Sequence, residues 1–323
     1  MTPSPLLEAR GLKAYYRLGG WLQPARWLRA VDGVSLAIGR QETVALVGES
    51  GSGKTTFGRA ILRLVEPTAG RVLLEGRDVT GLSQTAFRPL RRRLQIVFQN
   101  PYASLNPRKT VGRAIGQPLA VHRVPGDHAR VVGDLLERVG LPREAARRYP
   151  HEFSGGQRQR IAIARALALR PDLVVADEIT SGLDVSVKLR VLGLLRELQS
   201  EFRVAYLFIS HDLAVVRQVA DRVAVMYLGQ IVEEAPTEAL FERPQHPYTQ
   251  VLRASVPAPD PTVAWAPPTL AGEAPSPVSS PAGCRFHPRC PFAEARCRIE
   301  APVLRLVARG HQVACHLVRS GLD

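Results

Sequence analysis

Residues 48–55 read G-E-S-G-S-G-K-T, which is the G-x-x-x-x-G-K-[ST] pattern of a phosphate-binding loop. A short apolar, β-branched run at 43–47 precedes the loop, and a helical pattern at 57–64 follows it. This pattern needs a strand, a glycine loop and a helix in that order, because the glycines let backbone N–H groups wrap a phosphate chain at the helix N-terminus. The loop therefore predicts that the chain binds a nucleoside triphosphate.

We predict specific roles for two side chains of the loop. Lys54 should reach the β- and γ-phosphates, and the Thr55 hydroxyl should bind Mg²⁺. The predicted nucleotide-binding residues of this segment are Gly48, Glu49, Ser50, Gly51, Ser52, Gly53, Lys54, Thr55 and Thr56.

The net charge of +14, from 43 Lys and Arg against 29 Asp and Glu, would suit a nucleic-acid partner. The basic residues are spread along the chain, however, with their densest run only at 91–93, and no series of aromatic residues accompanies them. A solvated surface with some attraction to anionic lipid head groups accounts for this charge. We therefore predict no nucleic-acid partner.

Membrane and export signals are the next class to consider. No apolar run approaches the ~18 residues that a membrane span needs. Residues 1–10 lack the basic start and long apolar stretch of a signal peptide. We predict a cytoplasmic chain whose membrane partners, in any transport role, are other chains.

The order of apolar runs predicts the organisation of the chain. Buried strands at 173–176 and 205–209 alternate with helical patterns, which indicates a largely parallel sheet covered by helices. The segment 222–232 is expected to form a hairpin around Gly229. We predict a nucleotide-binding domain over 1–255 with a mostly helical insertion at about 101–160, a proline-rich arm over 256–283 and a cysteine-bearing tail over 284–323.

Two carboxylates end the strand predicted at 173–176. At a strand end, Asp177 can hold Mg²⁺ through water, and the neighbouring Glu178 can face an attacking water as a general base. Their position downstream of a phosphate loop favours this interpretation over an ordinary charged strand end.

The S-G-G-Q segment at 154–157 precedes a helix that we expect to begin near Gln159. Ser154 suits the N-cap, and the glycines leave backbone N–H groups open to an anion. One ATP cannot use two helix starts that lie on opposite faces. The second start is therefore expected to face the nucleotide of a neighbouring chain.

The combined motifs resemble those of the ATP-binding subunits of ABC transporters, over about the first 250 residues. The shared order is the phosphate loop, Gln99 after a strand, S-G-G-Q, Asp177-Glu178, S-G-L-D at 181–184, and His211. The resemblance implies an α/β P-loop NTPase with a RecA-like core, an antiparallel β subdomain and a helical insertion. It also implies that two subunits sandwich two ATP molecules head to tail, each between the phosphate loop of one copy and the S-G-G-Q of the other.

The resemblance also assigns roles. Gln99 would lie by Mg²⁺ and the attacking water and sense the transmembrane partner, and His211 would contact the γ-phosphate and support Glu178. Asp184 would communicate across the dimer, and Tyr16 matches the aromatic residue that stacks on adenine, with Tyr15 as the alternative. We thus predict catalytic roles for Glu178, His211, Gln99 and Lys54, Mg²⁺ contacts from Thr55, Gln99 and Asp177, and further nucleotide contacts from Tyr16, Ser154, Gly155, Gly156, Gln157 and Asp184.

A narrower resemblance covers almost the whole chain. Segments 97–107 (V-F-Q-N-P-Y-A-S-L-N-P), 149–154 (Y-P-H-E-F-S) and 246–249 (H-P-Y-T) are similar to dipeptide and oligopeptide permease ATPases, and the first segment to their F-type subunit. This implies ATP-driven peptide uptake at the cytoplasmic face of the membrane. The implied partners are a second, different ATP-binding subunit, two permeases and an external substrate-binding protein.

Two other functions remain open. Nickel importers share many of these segments, so nickel or another small solute is an alternative substrate. A soluble ABC-type ATPase of DNA repair or translation is the alternative from another class, although such proteins generally carry two ATP modules in one chain. Two positions depart from the family pattern: Ile179 stands where proline is usual, and Gly182 where alanine is usual.

All four cysteines lie in the tail, in a C-x5-C-x6-C-x17-C pattern, at Cys284, Cys290, Cys297 and Cys315. Four thiolates suit zinc or an iron–sulfur cluster, and free thiols are the third possibility. Disulfides are disfavoured in a cytoplasmic protein, and the absence of a C-x2-C pair weakens a zinc ribbon. Nearby arginines could offset the negative charge of a four-cysteine cubane: Arg285, Arg289, Arg296 and Arg298. Peptide permease ATPases carry a similar cysteine pattern, which implies a [4Fe–4S] cluster.

Overall fold

A computed structural model of the chain describes residues 4–19, 26–255, 272 and 275–318. The strands in these residues are β1 Leu7–Leu18, β2 Arg26–Ile38, β3 Thr43–Val47, β4 Ala69–Leu74, β5 Arg77–Asp78, β6 Leu94–Val97, β7 Leu173–Asp177, β8 Ala205–Ser210, β9 Arg222–Tyr227, β10 Gln230–Pro236, β11 Arg305–Ala308 and β12 His311–Val313. The α-helices are α1 Lys54–Ile61, α2 Gln84–Phe87, α3 Pro101–Ser104, α4 Val111–Val121, α5 His128–Arg138, α6 Gly155–Leu167, α7 Val185–Phe202, α8 Leu213–Val219, α9 Thr237–Glu242, α10 Pro247–Ala254 and α11 Ala295–Ile299.

The chain forms two compact units, each built from several segments. Unit 1 comprises Met1–Leu6, Ile38–Thr43 and Leu74–Ile209, and unit 2 comprises Leu7–Ala37, Val44–Leu73 and Ser210–Asp323. The predicted domains are continuous stretches of sequence, unlike these two units, and their boundaries stay a prediction. The predicted arm at 256–283 lies outside the described residues, apart from Gly272 and residues 275–283.

Unit 1 is built on three parallel strands in the order β6-β7-β8. Every residue of β7 and β8 is buried, because strands of a parallel sheet covered on both faces must be apolar along their whole length. The predicted strands at 173–176 and 205–209 are thus confirmed. The segment after β6 is helical, as expected, with α3, α4, α5 and short 3-10 turns leading into α6.

Unit 2 contains a sheet in which β3 pairs with β9 in parallel and β10 follows antiparallel to β9. The strand at 43–47 and the hairpin around Gly229 are therefore confirmed. Two tail strands extend this sheet, because β12 pairs with β10 and β11 with β12, both antiparallel. No pattern in the tail predicts these two strands. A second sheet in this unit places β1 between β2 and β4.

Strands that alternate with helices, a glycine loop before α1 and an antiparallel hairpin confirm the predicted α/β P-loop class. Within the described ranges, no helix is long and apolar enough to cross a membrane.

Candidate nucleotide-binding site

The phosphate loop connects β3 to α1 in unit 2. Its first and last glycines lie so close to neighbouring backbone that no other residue would fit there. A Cβ atom on Gly48 would lie 2.1 Å from the Met226 carbonyl oxygen, and one on Gly53 would lie 1.9 Å from the Ala30 carbonyl oxygen. Both glycines also have positive φ, 150° and 105°, which other residues rarely adopt. The loop therefore wraps tightly around the start of α1, as a phosphate cradle requires.

Lys54 lies over this loop. Its Nζ donates to the carbonyl oxygens of Gly48 at 2.8 Å and Glu49 at 2.7 Å, and its side chain is buried. The N-cap position of α1 is Gly53, no side chain caps it, and no acidic residue lies in the first turn. The partial positive charge of the helix N-terminus is thus uncompensated by carboxylates on the first turn, which favours an anionic ligand.

Glu178 and Gln99 meet in unit 1. Gln99 Nε2 donates to Glu178 Oε2 at 2.9 Å. Asp177 is buried at the end of β7, and Glu178 follows with a φ of +48°. This left-handed backbone is uncommon for a residue other than glycine and is typical of functional sites. The hydrogen bond between Gln99 and Glu178 joins two predicted site residues that are 79 positions apart in the sequence.

The S-G-G-Q segment forms the first turn of α6. The Ser154 hydroxyl accepts from the Gln157 N–H at 3.3 Å, while the Gln157 side chain accepts from the Ser154 N–H at 2.9 Å. The expected start near Gln159 was wrong: α6 begins at Gly155, because this reciprocal capping box draws both glycines into the helix. Ser154 is confirmed as the N-cap residue of α6, and it is exposed to solvent.

The segment after Glu178 explains one departure from the family pattern. Gly182 has a φ of +71°, where alanine would be strained, so glycine suits this turn. Ile179 is buried. Asp184 occupies the N-cap position of α7, but its side chain makes no capping bond. Exposed apolar side chains follow, with Val185 73% and Leu189 49% exposed.

The remaining predicted contacts lie in unit 2. The Tyr15 hydroxyl donates to Asp32, and burial together with this bond raises the pKa of Tyr15 to about 12. Tyr16, by contrast, is 36% exposed. The structure therefore leaves the Tyr16 ring, and not that of Tyr15, open to a stacking partner. His211 directly follows β8 and precedes Asp212, which caps α8 through the N–H groups of residues 214 and 215.

Sequence reasoning missed two residues that hold the loop. The Tyr248 hydroxyl accepts from the Glu49 N–H at 2.8 Å, and the Arg289 guanidinium donates to the Glu49 carboxylate. They lie 199 and 240 positions from Glu49, so no local pattern could have joined them to it. The only sequence signal was the H-P-Y-T segment, which had no assigned role.

The four cysteines lie near one another at the start and end of the tail. Burial, with smaller contributions from the other three cysteines, raises the pKa of the Cys284 thiol to about 11. Burial also raises the pKa of Cys290 and Cys315. Among the residues that the structure describes, no group of three or more His, Cys, Asp or Glu side chains is placed so that it could hold a metal ion. The predicted iron–sulfur cluster and its zinc alternative therefore stay predictions.

Comparison with known proteins decides the family. A model described as "ABC transporter" matches residues 31–181, and one described as "Oligopeptide/dipeptide transporter, C-terminal region" matches 232–297. The probable peptide ABC transporter ATP-binding protein y4tS of Sinorhizobium fredii is 51% identical over 97% of this chain and 90% of its own. The chain belongs to the ATP-binding subunits of peptide ABC transporters.

Further relatives and solved structures agree with this family. The oligopeptide transport ATP-binding protein AppF of Bacillus subtilis is 49% identical over 97% of this chain and 97% of its own. The post-hydrolysis dimer of the ATP-binding cassette MJ0796 bound to ADP and Pi is 28% identical, with a TM-score of 0.65 over 72% of this chain and 98% of that one. CbiO1 of Clostridium perfringens, part of the transporter complex cbiONQ, is 26% identical with a TM-score of 0.65, covering 74% of this chain and 92% of that one. As a member of the family, this peptide-transporter ATP-binding subunit is an ATPase coupled to transport.

Proposed function

We propose that this chain binds MgATP between two ATP-binding subunits and hydrolyses it to energise the uptake of dipeptides and oligopeptides. The observation that carries the hydrolytic part is the hydrogen bond between Gln99 and Glu178. It holds a carboxylate next to an amide that can itself contact water or Mg²⁺, which is the arrangement that a general base needs.

The other predicted residues have separate tasks in this proposal. Lys54 binds the β- and γ-phosphates, His211 stabilises the γ-phosphate charge, and Tyr16 stacks on adenine. The close approach of Gly48 and Gly53 to the Met226 and Ala30 carbonyl oxygens, which a Cβ atom would prevent, keeps the loop in a compact form that suits a phosphate chain. Mg²⁺ would be held by Thr55, Asp177 and Gln99, and its chemistry is to neutralise charge on the phosphate oxygens.

The exposed surface around α6 and α7 supports a shared site. Ser154 and Asp184 are exposed, and the apolar Val185 and Leu189 lie on the first turns of α7. Exposed apolar side chains beside polar ones are typical of a protein–protein interface. In this proposal Ser154–Gln157 contacts the ATP that the other subunit's phosphate loop holds.

A substitution of Glu178 tests the hydrolytic role. Glu178→Gln removes the general base but keeps an amide of the same size, so MgATP binding should persist while turnover falls by roughly 10²- to 10⁴-fold. Steady-state hydrolysis and equilibrium nucleotide binding are measured on the same preparation. Glu197→Gln, an exposed change on α7, serves as the matched control. Undiminished hydrolysis by Glu178→Gln would refute the role.

The likeness to curated peptide-import ATP-binding proteins along nearly the whole chain supports the peptide substrate. We further propose that the chain is the F-type subunit and works at the cytoplasmic face of the membrane with a second, different ATP-binding subunit, two permeases and an external binding protein. Affinity purification from the native cell tests this assembly. Co-purification with a polytopic permease and a peptide-binding protein would support it, whereas a nickel-binding protein, DNA or ribosomes would contradict it.

For the tail, we propose that Cys284, Cys290, Cys297 and Cys315 bind one [4Fe–4S] cluster with a structural role. Neighbouring thiols contribute to the raised pKa of Cys284, Cys290 and Cys315, and backbone N–H groups of residues 286, 292, 317 and 318 donate to these three sulfurs, a feature that tunes such clusters. When bound, the cluster would fasten the two ends of the tail together.

Iron analysis tests the tail proposal. Protein purified without oxygen should be brown and hold about four iron atoms per chain, and Cys297→Ser should lose most of them. Colourless protein with one zinc would overturn the cluster but keep a metal site. Metal-free protein, whose tail resists proteolysis equally well when all four cysteines are serine, would overturn both.

A further inference from the structure

Glu49, the second residue of the phosphate loop, is held from three directions within unit 2. Its carbonyl oxygen accepts from Lys54 Nζ at 2.7 Å, and its N–H donates to the Tyr248 hydroxyl at 2.8 Å. Its carboxylate oxygens accept from Arg289 Nη1 at 3.0 and 3.1 Å. Two of these three partners therefore lie far along the chain from Glu49, at separations of 199 and 240 residues, and Arg289 belongs to the tail.

The ion pair between Arg289 and Glu49 is largely shielded from solvent at the Arg289 side chain. The Arg289 side chain is 9% exposed and that of Glu49 is 30% exposed. Arg289 Nη1 also approaches the Tyr227 hydroxyl at 3.5 Å, and the nearby Glu49 and Tyr227 hydrogen bonds outweigh burial and raise the pKa of Arg289. A charge-assisted bond in such surroundings fixes geometry better than an exposed surface pair does.

Tyr248 belongs to a buried aromatic cluster that also includes a residue of the tail. Tyr227, Tyr248 and Phe286 are all fully buried, with ring centroids 4.7 Å apart for the two tyrosines and 5.3 and 5.5 Å from each tyrosine to Phe286. Phe286 lies in the tail, three residues before Arg289. The tail thus contributes both the charge that contacts Glu49 and part of the packing that orients Tyr248.

The same tail segment makes a second anchor in this unit. The Arg285 guanidinium donates to the Leu228 carbonyl oxygen and to the Asp32 carboxylate, and both side chains of the Arg285–Asp32 pair are about one-tenth exposed. Asp32 also accepts from Tyr15, the neighbour of Tyr16. Residues 285–289 therefore contact β2 through Asp32 as well as the phosphate loop, and Asp32 in turn binds Tyr15 on β1, the strand that carries the candidate adenine-stacking residue.

We infer that the tail segment 285–289 positions the phosphate loop, and that Arg289 is a positioning residue that acts on the nucleotide through Glu49. The inference rests on the proposed function insofar as the loop binds ATP. A loop with a fixed backbone gives up less conformational freedom when its N–H groups close around phosphates, so its affinity for MgATP is higher. The tail is thereby a part of the nucleotide site and not only an appendage.

Nucleotide binding by the full chain, carrying Glu178→Gln to stop turnover, tests this inference. Arg289→Gln should raise the Kd for MgATP about 3- to 10-fold, as expected for the loss of a charge-assisted bond that fixes a loop, and Arg289→Lys should recover part of the affinity. The matched control is Arg309→Gln, the same change at an exposed arginine in the turn between β11 and β12, which should leave the Kd unchanged.

Glu49→Gln removes the same contact from the loop side and keeps the test decisive if Arg289→Gln folds poorly. The two variants should raise the Kd by similar factors, and the double variant should bind as each single variant does, because one contact is lost in all three. In the chain with Glu178 intact, KM for ATP should rise while kcat changes little.

Three outcomes would overturn the inference. They are an unchanged Kd in Glu49→Gln, additive effects in the double variant, or a lower melting temperature in Arg289→Gln without any change in Kd. If the parent chain itself fails to bind MgATP, the proposed function fails first, so the two failures are distinguishable.

Discussion

At the scale of single residues, His246 shows how burial sets the state of a titratable group. Its side chain is buried, and its Nδ1 accepts from the Tyr248 backbone N–H at 3.1 Å. The His246 backbone N–H donates to the buried Glu233 carboxylate at 2.9 Å. Burial lowers the pKa of His246 to about 4. The imidazole is therefore neutral in the folded protein at neutral pH, which the bond from Tyr248 requires.

This low pKa predicts a loss of stability in mild acid. Above the unfolded-state pKa of about 6.5, neither state carries the proton, and stability does not depend on His246. Between about 6.5 and 4 only the unfolded state takes it up, so the free energy of unfolding should fall by up to about 1.4 kcal/mol per pH unit as pH decreases.

Denaturant unfolding at several values of pH checks this prediction. His246→Asn keeps an acceptor without a titrating ring and serves as the reference. Glu233 and His311, which form a hydrogen bond at 2.7 Å beside this site, are present in both proteins and cancel in the comparison. A wild-type pH slope no steeper than that of the variant would contradict the prediction.

At the scale of elements, the first turn of α6 contains two adjacent glycines with different surroundings. A Cβ atom on Gly156 would lie 2.6 Å from Val187 Cγ1, at the start of α7, whereas one on Gly155 would meet nothing within 4 Å. Gly156 therefore lets α6 and α7 approach closely, and Gly155 leaves its face open to a ligand or a partner.

This difference predicts opposite effects of two alanine substitutions on stability. Gly156→Ala should destabilise the protein by about 1–3 kcal/mol, because the added methyl overpacks a well-ordered contact. Gly155→Ala should be neutral or stabilising by up to about 1 kcal/mol, since alanine favours the helix. Equilibrium unfolding measures both, and Val187→Ala should rescue Gly156→Ala. Equal stability of the two glycine variants would count against this packing argument.

Elements of strong local pattern could be predicted from the sequence, and elements that depend on distant contacts could not. The apolar runs of β3, β7 and β8 and the glycine loop follow from local chemistry, because fully buried strands and phosphate loops constrain every residue in them. The start of α6 was placed too late, since a reciprocal cap between Ser154 and Gln157 can stabilise a helix that begins with two glycines. The tail strands β11 and β12 exist because β10 offers them an edge, which no pattern within the tail reveals.

At the scale of the whole molecule, the proposed assembly has two ATP sites, each built from a phosphate loop and an S-G-G-Q segment of different chains. The purified chain should accordingly hydrolyse ATP weakly, because its partner is proposed to be a different subunit. Reconstitution with that subunit and the permeases should raise the rate. Robust, cooperative hydrolysis by the isolated chain would contradict the heteromeric assembly.

The strongest test of this assembly separates the two roles of the chain. In a reconstituted complex whose catalytic carboxylates are replaced so that ATP stays trapped, Lys54→Ala should empty the site on this chain's loop, and Ser154→Arg should empty the site on the partner's loop. Each variant should therefore trap about half of the ATP of the parent complex, and the double variant almost none, because the two sites are related by pseudo-twofold symmetry. Ser200→Arg, the same change at an exposed serine in the last turn of α7, is the control for the added charge. If the double variant traps as much ATP as either single variant, Lys54 and Ser154 act on the same nucleotide, and the head-to-tail arrangement is wrong.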